Sequence, residues 1–203
     1  MENLSEKIVA CIEQHKKRSC TNDSIRQALN LTGSQDFILL QKTLEEMEDK
    51  YQIFRNDNGT WSTQKQRGYY EAKISINKKG MGFIDREPFE SLRIPVQDTH
   101  GALHGDIVIY SGEPYEPYGK VIAVKERAHE HIIALYAPKF HGAKTFKLVA
   151  EDEKLKDKRL IVEKLGNFSM AEGTKVLCKI ISSEGQDIHV TIERVIGHKD
   201  DPG

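Results

Sequence analysis

The spacing of apolar residues along the chain changes once, near Tyr69, and this change constrains the fold more than any other feature of the sequence. Up to Tyr51, apolar residues recur every three or four positions, which is the period of an amphipathic helix. From Tyr69 onward they alternate with polar residues, as in a β-strand that buries one face. The sequence therefore predicts an α+β multidomain protein with a helical N-terminal part and an all-β remainder.

The N-terminal part carries the helix and turn signals of a winged helix-turn-helix. Thr21 stands where it would cap a second helix, and Gly33 stands where that helix would stop. After a third helix, the Asn58-Gly59 pair within "QIFRNDNGTWST" predicts a hairpin turn. We expect a winged helix-turn-helix domain over residues 1–66. A small helical bundle with an attached hairpin is the alternative.

The β part contains two successive sets of five short segments in which apolar residues alternate. The first set reads "EAKISIN", "MGFID", "SLRIPV", "GDIVIYS" and "GKVIAVKE", and the second reads "HIIALYA", "AKTFKLVA", "RLIVE", "GTKVLCKI" and "QDIHVTIERV". Gly105 and Arg127 of the first set correspond to Gly173 and Arg194 of the second set. Five short strands are typical of the OB-fold, and the repeat predicts two tandem barrels of similar topology.

These patterns place the domain boundaries. We expect a first cold-shock-like OB domain over residues 67–128 and a second over residues 129–198. The polar, turn-like residues 199–203 read as the start of a linker to a further domain.

The charge and the cysteines exclude several classes of protein. The 203 residues carry a net charge of −1, so a polyanion would have to be held by local patches. The sequence has no run of 18 apolar residues, and its three cysteines are dispersed. We therefore expect a cytoplasmic protein without membrane contact or a disulfide framework. The sequence contains no nucleophile–base pair, P-loop or dinucleotide motif that would predict catalysis by these residues.

The stretch "KKGMGFI" carries the strongest signal for binding a ligand. Lysines neutralise phosphates, glycines let a phosphate backbone approach, and an aromatic side chain offers a face on which a base can stack. By strand alternation, Lys79, Met81 and Phe83 point one way, while Gly82 and Ile84 point into the barrel. The alternative is that the glycines only permit barrel curvature and the aromatic ring covers a hydrophobic edge.

The segments "NKKGMGFI", "LRIPV" and "ALHGDIVIY" together resemble the first cold-shock domain of the bacterial ribonuclease R branch of the RNase II family. The resemblance extends in order over essentially the whole chain, from the winged helix to "IERVIGHKDDPG", which is similar to the junction into the catalytic domain. It implies the RNA-entry region of a processive 3′–5′ exoribonuclease that hydrolyses RNA to nucleotides. It also implies that Mg²⁺ belongs to a catalytic domain after Gly203, and that these residues hold no cofactor.

The expected partner is single-stranded RNA, with structured RNA as a further candidate partner of the winged helix, and the expected state is a monomer. We expect no catalytic or metal-binding residues in this chain. We expect RNA contacts on the first barrel from Lys73, Lys78, Lys79, Met81, Phe83 and Arg93. The chain departs from the family pattern at Met81 and Arg93, where aromatic residues are usual. Free-standing cold-shock proteins also carry a tryptophan near Ser75. Phe83 is therefore the expected stacking residue, and contact should be weak and insensitive to sequence.

Other groupings have an ordinary structural interpretation beside a functional one. Cys11, His15 and Cys20 suggest a metal site, but a fourth ligand is missing and core packing is favoured. The two histidines of "HEH" and the two aspartates of "HKDDPG" are too few for a metal site, and solvated side chains are favoured there. The run "KLKDKR" is either a solvated loop or a patch that guides phosphates.

Two other functions compete with the exoribonuclease interpretation. The chain could be a stand-alone RNA-binding regulator without enzymatic activity. It could also be an adaptor whose winged helix binds another protein, with barrels that are only structural. A reading frame rich in aspartate beyond Gly203 would favour the exoribonuclease, and a stop codon there would favour the regulator.

Overall fold

The structure is a computed structural model that describes residues 3–142, 146–164 and 170–202. The chain forms two compact units. The first contains the residues up to Glu71 together with Ile109–Glu113, and the second contains Ala72–Val108 together with the residues from Pro114 onward. The division passes through two β-strands. Helices and several sheets are both present, so the predicted α+β class is confirmed.

Helices followed by a hairpin make up most of the first unit, in the predicted order. The elements are α1 (Leu4–Gln14), α2 (Asn22–Ala28), α3 (Ser34–Asp49), β1 (Ile53–Arg55), β2 (Trp61–Thr63) and the one-turn helix α4 (Gln64–Arg67). Strands β1 and β2 are antiparallel, and Gly59 turns the chain between them with φ = 80°. The helix α4 was not predicted, because four residues are too few to show a helical period.

The start of α2 was predicted correctly, but its end was not. The side chain of Thr21 accepts a hydrogen bond from the backbone N–H of Ser24, as a helix cap does. Gly33 does not stop α2; it stands at the N-terminal cap of α3 with an ordinary φ of −85°. The chain leaves α2 at Asn30, whose φ of 56° is left-handed. Asparagine tolerates that conformation, so no glycine was needed.

One hydrophobic cluster holds the first unit together. The residues of this cluster are buried and come from the helices, the hairpin and the segment that joins α1 to α2: Ile8, Cys11, Ile12, Cys20, Ile25, Leu40, Leu44, Met47, Ile53 and Trp61. The apolar residues of α3 are not all buried, because Phe37 is 45% exposed. The hairpin is fixed to the helices by Trp61, whose indole N–H donates to Oδ1 of Asn22 at 2.6 Å.

We call the strands that follow the first strand set. They are β3 (Tyr69–Lys73), β4 (Ser75–Ile76), β5 (Gly82–Arg86), β6 (Phe89–Ile94), β7 (Ile107–Ser111) and β8 (Lys120–Glu126). Strands β4, β5 and β6 form one sheet in that order, and β3, β7 and β8 form another. Each of the five predicted segments contains a strand. The segment "EAKISIN" contains two, because its strand is interrupted at Ile74.

The interruption at Ile74 has a clear backbone cause. The N–H of Ile74 donates to the carbonyl of Asp106 at 2.9 Å, and the carbonyl of Ile74 accepts from the N–H of Gly105 at 2.8 Å. Gly105 has φ = 88°, which a residue with a side chain rarely adopts. The chain therefore leaves one sheet and enters the other at this point, with the side chain of Ile74 fully buried.

The remaining strands, which we call the second strand set, form one five-stranded sheet. They are β9 (His131–Pro138), β10 (Phe146–Ala150), β11 (Arg159–Lys164), β12 (Thr174–Glu184) and β13 (Asp187–His198). Their order is β10-β9-β12-β13-β11, and β11 and β13 are parallel. Each predicted segment again contains a strand, although the first three residues of "AKTFKLVA" lie outside the described residues.

The second strand set has its own core, and one residue of the first set contributes to it. The buried cluster contains Ile132, Ala134, Leu148, Ala150, Val176, Cys178, Ile188 and Val190, among others. Leu103, which precedes β7, packs in the same cluster. The backbones of the two strand sets are in close contact near this point: a Cβ on Gly101 would lie only 1.9 Å from the carbonyl oxygen of Ser183.

Candidate nucleic-acid interface

Strand β5 brings together two of the residues predicted to contact RNA. Phe83 pairs with Ser75 on one side and with Arg93 on the other, so the three side chains share one face of the sheet. Phe83 is half-buried, and Ser75 and Arg93 are exposed. Serine is small, so nothing large flanks the ring from that side. The face therefore presents an aromatic ring next to a guanidinium group.

The opposite face of β5 is turned into the interior, as strand alternation predicts. Ile84 is fully buried. A Cβ on Gly82 would lie 2.8 Å from Cδ1 of Ile74 and 3.1 Å from Cβ of Ile94, so only glycine fits there without displacement. This glycine serves packing. The packing therefore fixes which face of β5 points inward, and Phe83 stays on the outer face.

The two lysines of "KKGMGFI" lie in the turn between β4 and β5. The side-chain oxygen of Asn77 accepts hydrogen bonds from the N–H groups of Lys79 and Met81, each at 3.0 Å. Gly80 takes φ = 86°, which closes the turn. The side chains of Lys78 and Lys79 are exposed. The turn therefore has a defined backbone and presents two positive charges to solvent.

Both lysines also line an open cavity of 490 Å³ within the second unit. The cavity lies between the first strand set and the second, and Lys154, Lys158, His129 and His131 contribute to its walls together with Glu151, Asp152 and Asp157. Its charges are thus mixed. Of the predicted basic residues, Lys78 and Lys79 line this cavity and Arg93 lies on the face of β5. Lys73 is at neither place; it ends β3 with an exposed side chain.

Two basic groups at the cavity have lowered pKa values. Burial, reinforced by the positive charge of Lys154, lowers the pKa of His104. The Nδ1 atom of this histidine accepts a hydrogen bond from the backbone N–H of Ile76 at 2.9 Å, so it lacks a proton there. Burial likewise lowers the pKa of Lys158, whose ammonium group donates to the carbonyl of Gly185 at 2.8 Å. Both side chains therefore bind a proton less readily than the same groups do in water.

Sequence reasoning missed one aromatic residue on the face of β5. Tyr118 forms an isolated parallel bridge with Arg93, and the Arg93 guanidinium carbon lies 6.0 Å from the centre of the tyrosine ring. The ring is 51% exposed. Its segment, "EPYEPYGK", has no strand period, and only the long-range bridge places it here. Two aromatic rings therefore flank Arg93, in place of the single ring predicted.

The histidines of "HEH", the run "KLKDKR" and the aspartates of "HKDDPG" have different surroundings. His131 lies 3.0 Å from a carboxylate oxygen of Glu193. Within "KLKDKR", the side chain of Arg159 donates two hydrogen bonds to Asp187. The carboxylate of Asp201 accepts from the backbone N–H of His198 at 2.7 Å, so it closes a turn.

The structure brings Cys11, His15 and Cys20 close together. The two sulfur atoms and one ring nitrogen of the histidine lie within 4.8 Å of one another. Cys11 is 5% exposed and Cys20 is 1% exposed. Burial raises the pKa of both thiols, to about 12 for Cys20, where the neighbouring Cys11 adds to the effect.

No helix among the described residues has the length and apolar character needed to cross a membrane.

No family model matches the sequence. A relative found by sequence is ribonuclease R of Thermotoga maritima, which is 24% identical over 169 residues. The match covers 80% of this chain but only 23% of that protein. Two solved structures of Mycoplasma genitalium RNase R, one in complex with ribose methylated single-stranded RNA and one in the apo form, each match with a TM-score of 0.51 and 21% identity. Each match covers 66% of this chain and 22% of that chain.

These likenesses first define a class: the chain is an α+β protein that, over about two thirds of its length, resembles about a fifth of a larger nuclease in fold. The particular relative found by both comparisons is ribonuclease R, so the resemblance predicted from the sequence is confirmed.

Proposed function

We propose that this chain is the RNA-binding entry region of a processive 3′–5′ exoribonuclease similar to ribonuclease R. In this proposal residues 1–66 form a winged helix-turn-helix domain, and residues 67–128 and 129–198 form two OB barrels. Residues 199–203 begin the linker to a catalytic domain. Hydrolysis of RNA to nucleotides, and the Mg²⁺ that assists it, belong to that further domain. The whole-protein activity rests on the resemblance, since the chain spans about a quarter of the relative's length.

The assignment of two OB barrels is supported by strand order. In the second strand set the third strand, β11, runs parallel to the fifth, β13, and the sheet order is that of five strands with one long-range crossover. In the first set, β3 and β4 count together as the first of the five predicted strands. The third strand, β6, then meets Tyr118, two residues before the fifth strand, β8, in a parallel bridge. A five-stranded Greek-key barrel has this arrangement, and its sheet face binds oligonucleotides.

The observation that carries the proposal is the register of β5. Phe83 stands between exposed Ser75 and exposed Arg93. An aromatic face with a cation beside it binds a base and its phosphate together, without sequence preference. The turn of Lys78 and Lys79, which borders the cavity, adds two exposed positive charges for contacts with phosphates. The proposal therefore assigns RNA contacts to Lys73, Lys78, Lys79, Met81, Phe83 and Arg93.

Replacement of the stacking ring tests the proposal. We expect Phe83→Ala to weaken binding of a labelled single-stranded oligoribonucleotide by about 1–3 kcal/mol, because one base–aromatic stack is lost. Fluorescence anisotropy at fixed salt measures the affinity, and thermal melting measures the stability of the same protein. Met81→Ala should cost less, because a thioether offers contact without an aromatic face.

The matched control is Phe89→Ala, which removes a phenyl ring that is exposed on the same sheet. This residue lies at the hairpin end of β6, where it pairs with Arg86 and not with the basic turn. Its loss should leave RNA affinity unchanged. A Phe83→Ala protein that melts at a lower temperature but binds RNA with undiminished affinity would show that the ring only packs against the sheet edge.

A second candidate function is protein binding by α3. Phe37, Ile38 and Leu39 are all exposed, with Ile38 at 62%, and the C-terminal half of the helix carries Glu45 and Glu46. An apolar and acidic helix suits a protein partner better than a phosphate backbone. Ile38→Glu should abolish such an association and leave RNA affinity unchanged. If it weakens binding of structured RNA instead, the winged helix contacts RNA through this helix.

A further inference from the structure

We propose that Cys11, His15 and Cys20 bind a Zn²⁺ ion in the first unit. The inference is independent of RNA binding, because none of these residues belongs to the proposed RNA surface. The ion would be held by two thiolates and one imidazole, and water would complete a tetrahedral set.

The distances are those of ligands that need only a small adjustment. The two sulfurs and one imidazole nitrogen lie within 4.8 Å of one another. Zinc–sulfur bonds of about 2.3 Å and zinc–nitrogen bonds of about 2.0–2.1 Å place tetrahedral ligand atoms roughly 3.6–3.8 Å apart. Rotation about the side-chain bonds can supply the difference of about 1 Å. Core packing alone requires no imidazole nitrogen close to both sulfurs.

The backbone holds the three ligands from two places. Cys11 lies in the last turn of α1, and His15 follows that helix directly as its C-terminal cap, four residues further on. The carbonyl of Cys20 accepts a hydrogen bond from the N–H of Trp61 at 2.9 Å, which fixes the third ligand to the hairpin. Arg18, with φ = 63°, turns the chain between the helix and Cys20. The three ligands thus converge from a helix end and a β-bridge.

The histidine also has the outer contact that metal-binding imidazoles usually have. Its Nδ1 atom lies 2.7 Å from the backbone carbonyl of Cys11, so Nδ1 carries the proton and donates to that oxygen. The lone pair is then on Nε2, so Nε2 is the nitrogen that would bind the ion. The contact fixes the tautomer and orients the ring before any ion binds.

The donor set selects the ion. Thiolates with an imidazole suit Zn²⁺, and two thiolates neutralise its charge, which burial of both sulfurs requires. Each thiol releases its proton to solvent when its sulfur binds the ion. The bound ion would link the end of α1 to the hairpin through Cys20, and so would stabilise the first unit.

Cobalt titration of the full chain, kept reduced, tests the site. We expect one Co²⁺ per chain, with the ligand-field bands of a tetrahedral ion and a sulfur-to-cobalt charge-transfer band. Zn²⁺ should displace the Co²⁺, remove these bands and raise the melting temperature. His15→Gln should weaken the affinity at least about 100-fold, since loss of an outer contact alone costs 10–100-fold. This half-buried residue can be replaced without opening the core, and circular dichroism checks that the helices remain.

The matched control is Cys178→Ser, which removes a buried cysteine of the second unit and should leave the cobalt spectrum unchanged. The proposal fails if the reduced chain gives no tetrahedral cobalt spectrum. It also fails if His15→Gln binds cobalt as the unaltered chain does. A reduced chain that binds no ion, but becomes lighter by two hydrogen atoms in air, would show that the two cysteines form a disulfide instead.

Discussion

The two strand sets close the same turn with different side chains. In the first set, Oδ2 of Asp106 accepts the N–H of Leu103 three residues earlier at 2.8 Å. In the second set, Oγ1 of Thr174 accepts the N–H of Ala171 at 3.1 Å, again from three residues earlier. Each residue follows the glycine that the repeat aligns, Gly105 or Gly173. The turn is therefore the same, but one set places a charge in it.

In the first set, the Asp106 carboxylate forms an ion pair with Arg127. Arg127 donates from Nη1 to Asp106 at 2.8 Å and also to the carbonyl of Gly101 at 2.8 Å. Asp106 is 1% exposed, so its carboxylate depends on this ion pair and on the N–H of Ala128. Arg194, the counterpart in the second set, is exposed on β13. The turn geometry is the same in both sets, while among the described residues the arginine holds the chain that leaves the last strand in the first set only.

The aromatic residues show a second difference. Phe83, on the second strand of the first set, has Ser75 and Arg93 as its register partners. Phe146, on the second strand of the second set, stacks on Tyr136 with ring centres 4.9 Å apart, and Tyr136 packs against the core. One ring is left available, and the other is used in packing. Similar topology thus gives different surfaces, because the cross-strand neighbours differ.

The largest expected effect comes from the buried carboxylate. Asp106→Ala should lower the free energy of unfolding by about 3 kcal/mol, because two N–H groups and Arg127 lose a charged acceptor. Thr174→Ala should lower it by only about 1 kcal/mol, since the two hydrogen bonds lost, both to the backbone of Ala171, are between neutral groups. Urea denaturation of both variants measures the difference. Equal losses would mean that the charge adds nothing to the turn.

The stacked ring gives an intermediate effect of a different kind. Phe146→Ala should lower the free energy of unfolding by about 2 kcal/mol, from the lost area and the lost ring pair. Its affinity for single-stranded RNA should stay within experimental error of the unaltered chain. Anisotropy and melting temperature are measured together. If RNA affinity falls as much as for Phe83→Ala, the two strand sets share the contact and the proposed difference between them disappears.

The smallest expected effect is on the salt dependence of binding. Arg93→Ala should weaken RNA binding by about 1 kcal/mol and should reduce the slope of log affinity against log salt by about 0.7, the value of one phosphate contact on a single strand. Arg159→Ala is the control in the second strand set, where the guanidinium is already paired with Asp187. A salt slope unchanged by Arg93→Ala would indicate that this residue stacks and does not neutralise a phosphate.

Local patterns predicted the elements well, and long-range contacts set the parts that were missed. Periodicity identified the first three helices and every strand segment, and Thr21 marked the start of α2 correctly. The break at Ile74 depends on hydrogen bonds to Asp106 and Gly105, about thirty residues away, which no local period reveals. Tyr118 reaches the face of β5 for the same reason. The register of Phe83 with Arg93 followed from two adjacent strands, so it could be anticipated.

The close approach at Gly101 has a consequence for how the cavity could change over evolution. A Cβ there would lie 1.9 Å from the carbonyl oxygen of Ser183, so main chain meets main chain. The spacing of the two strand sets at this point is set by peptide groups, which substitutions do not resize. Mutations elsewhere can therefore alter the charge and polarity of the cavity walls while the distance between the two strand sets at Gly101 stays constant. Lineages could diverge in what enters the cavity without rebuilding the fold around it.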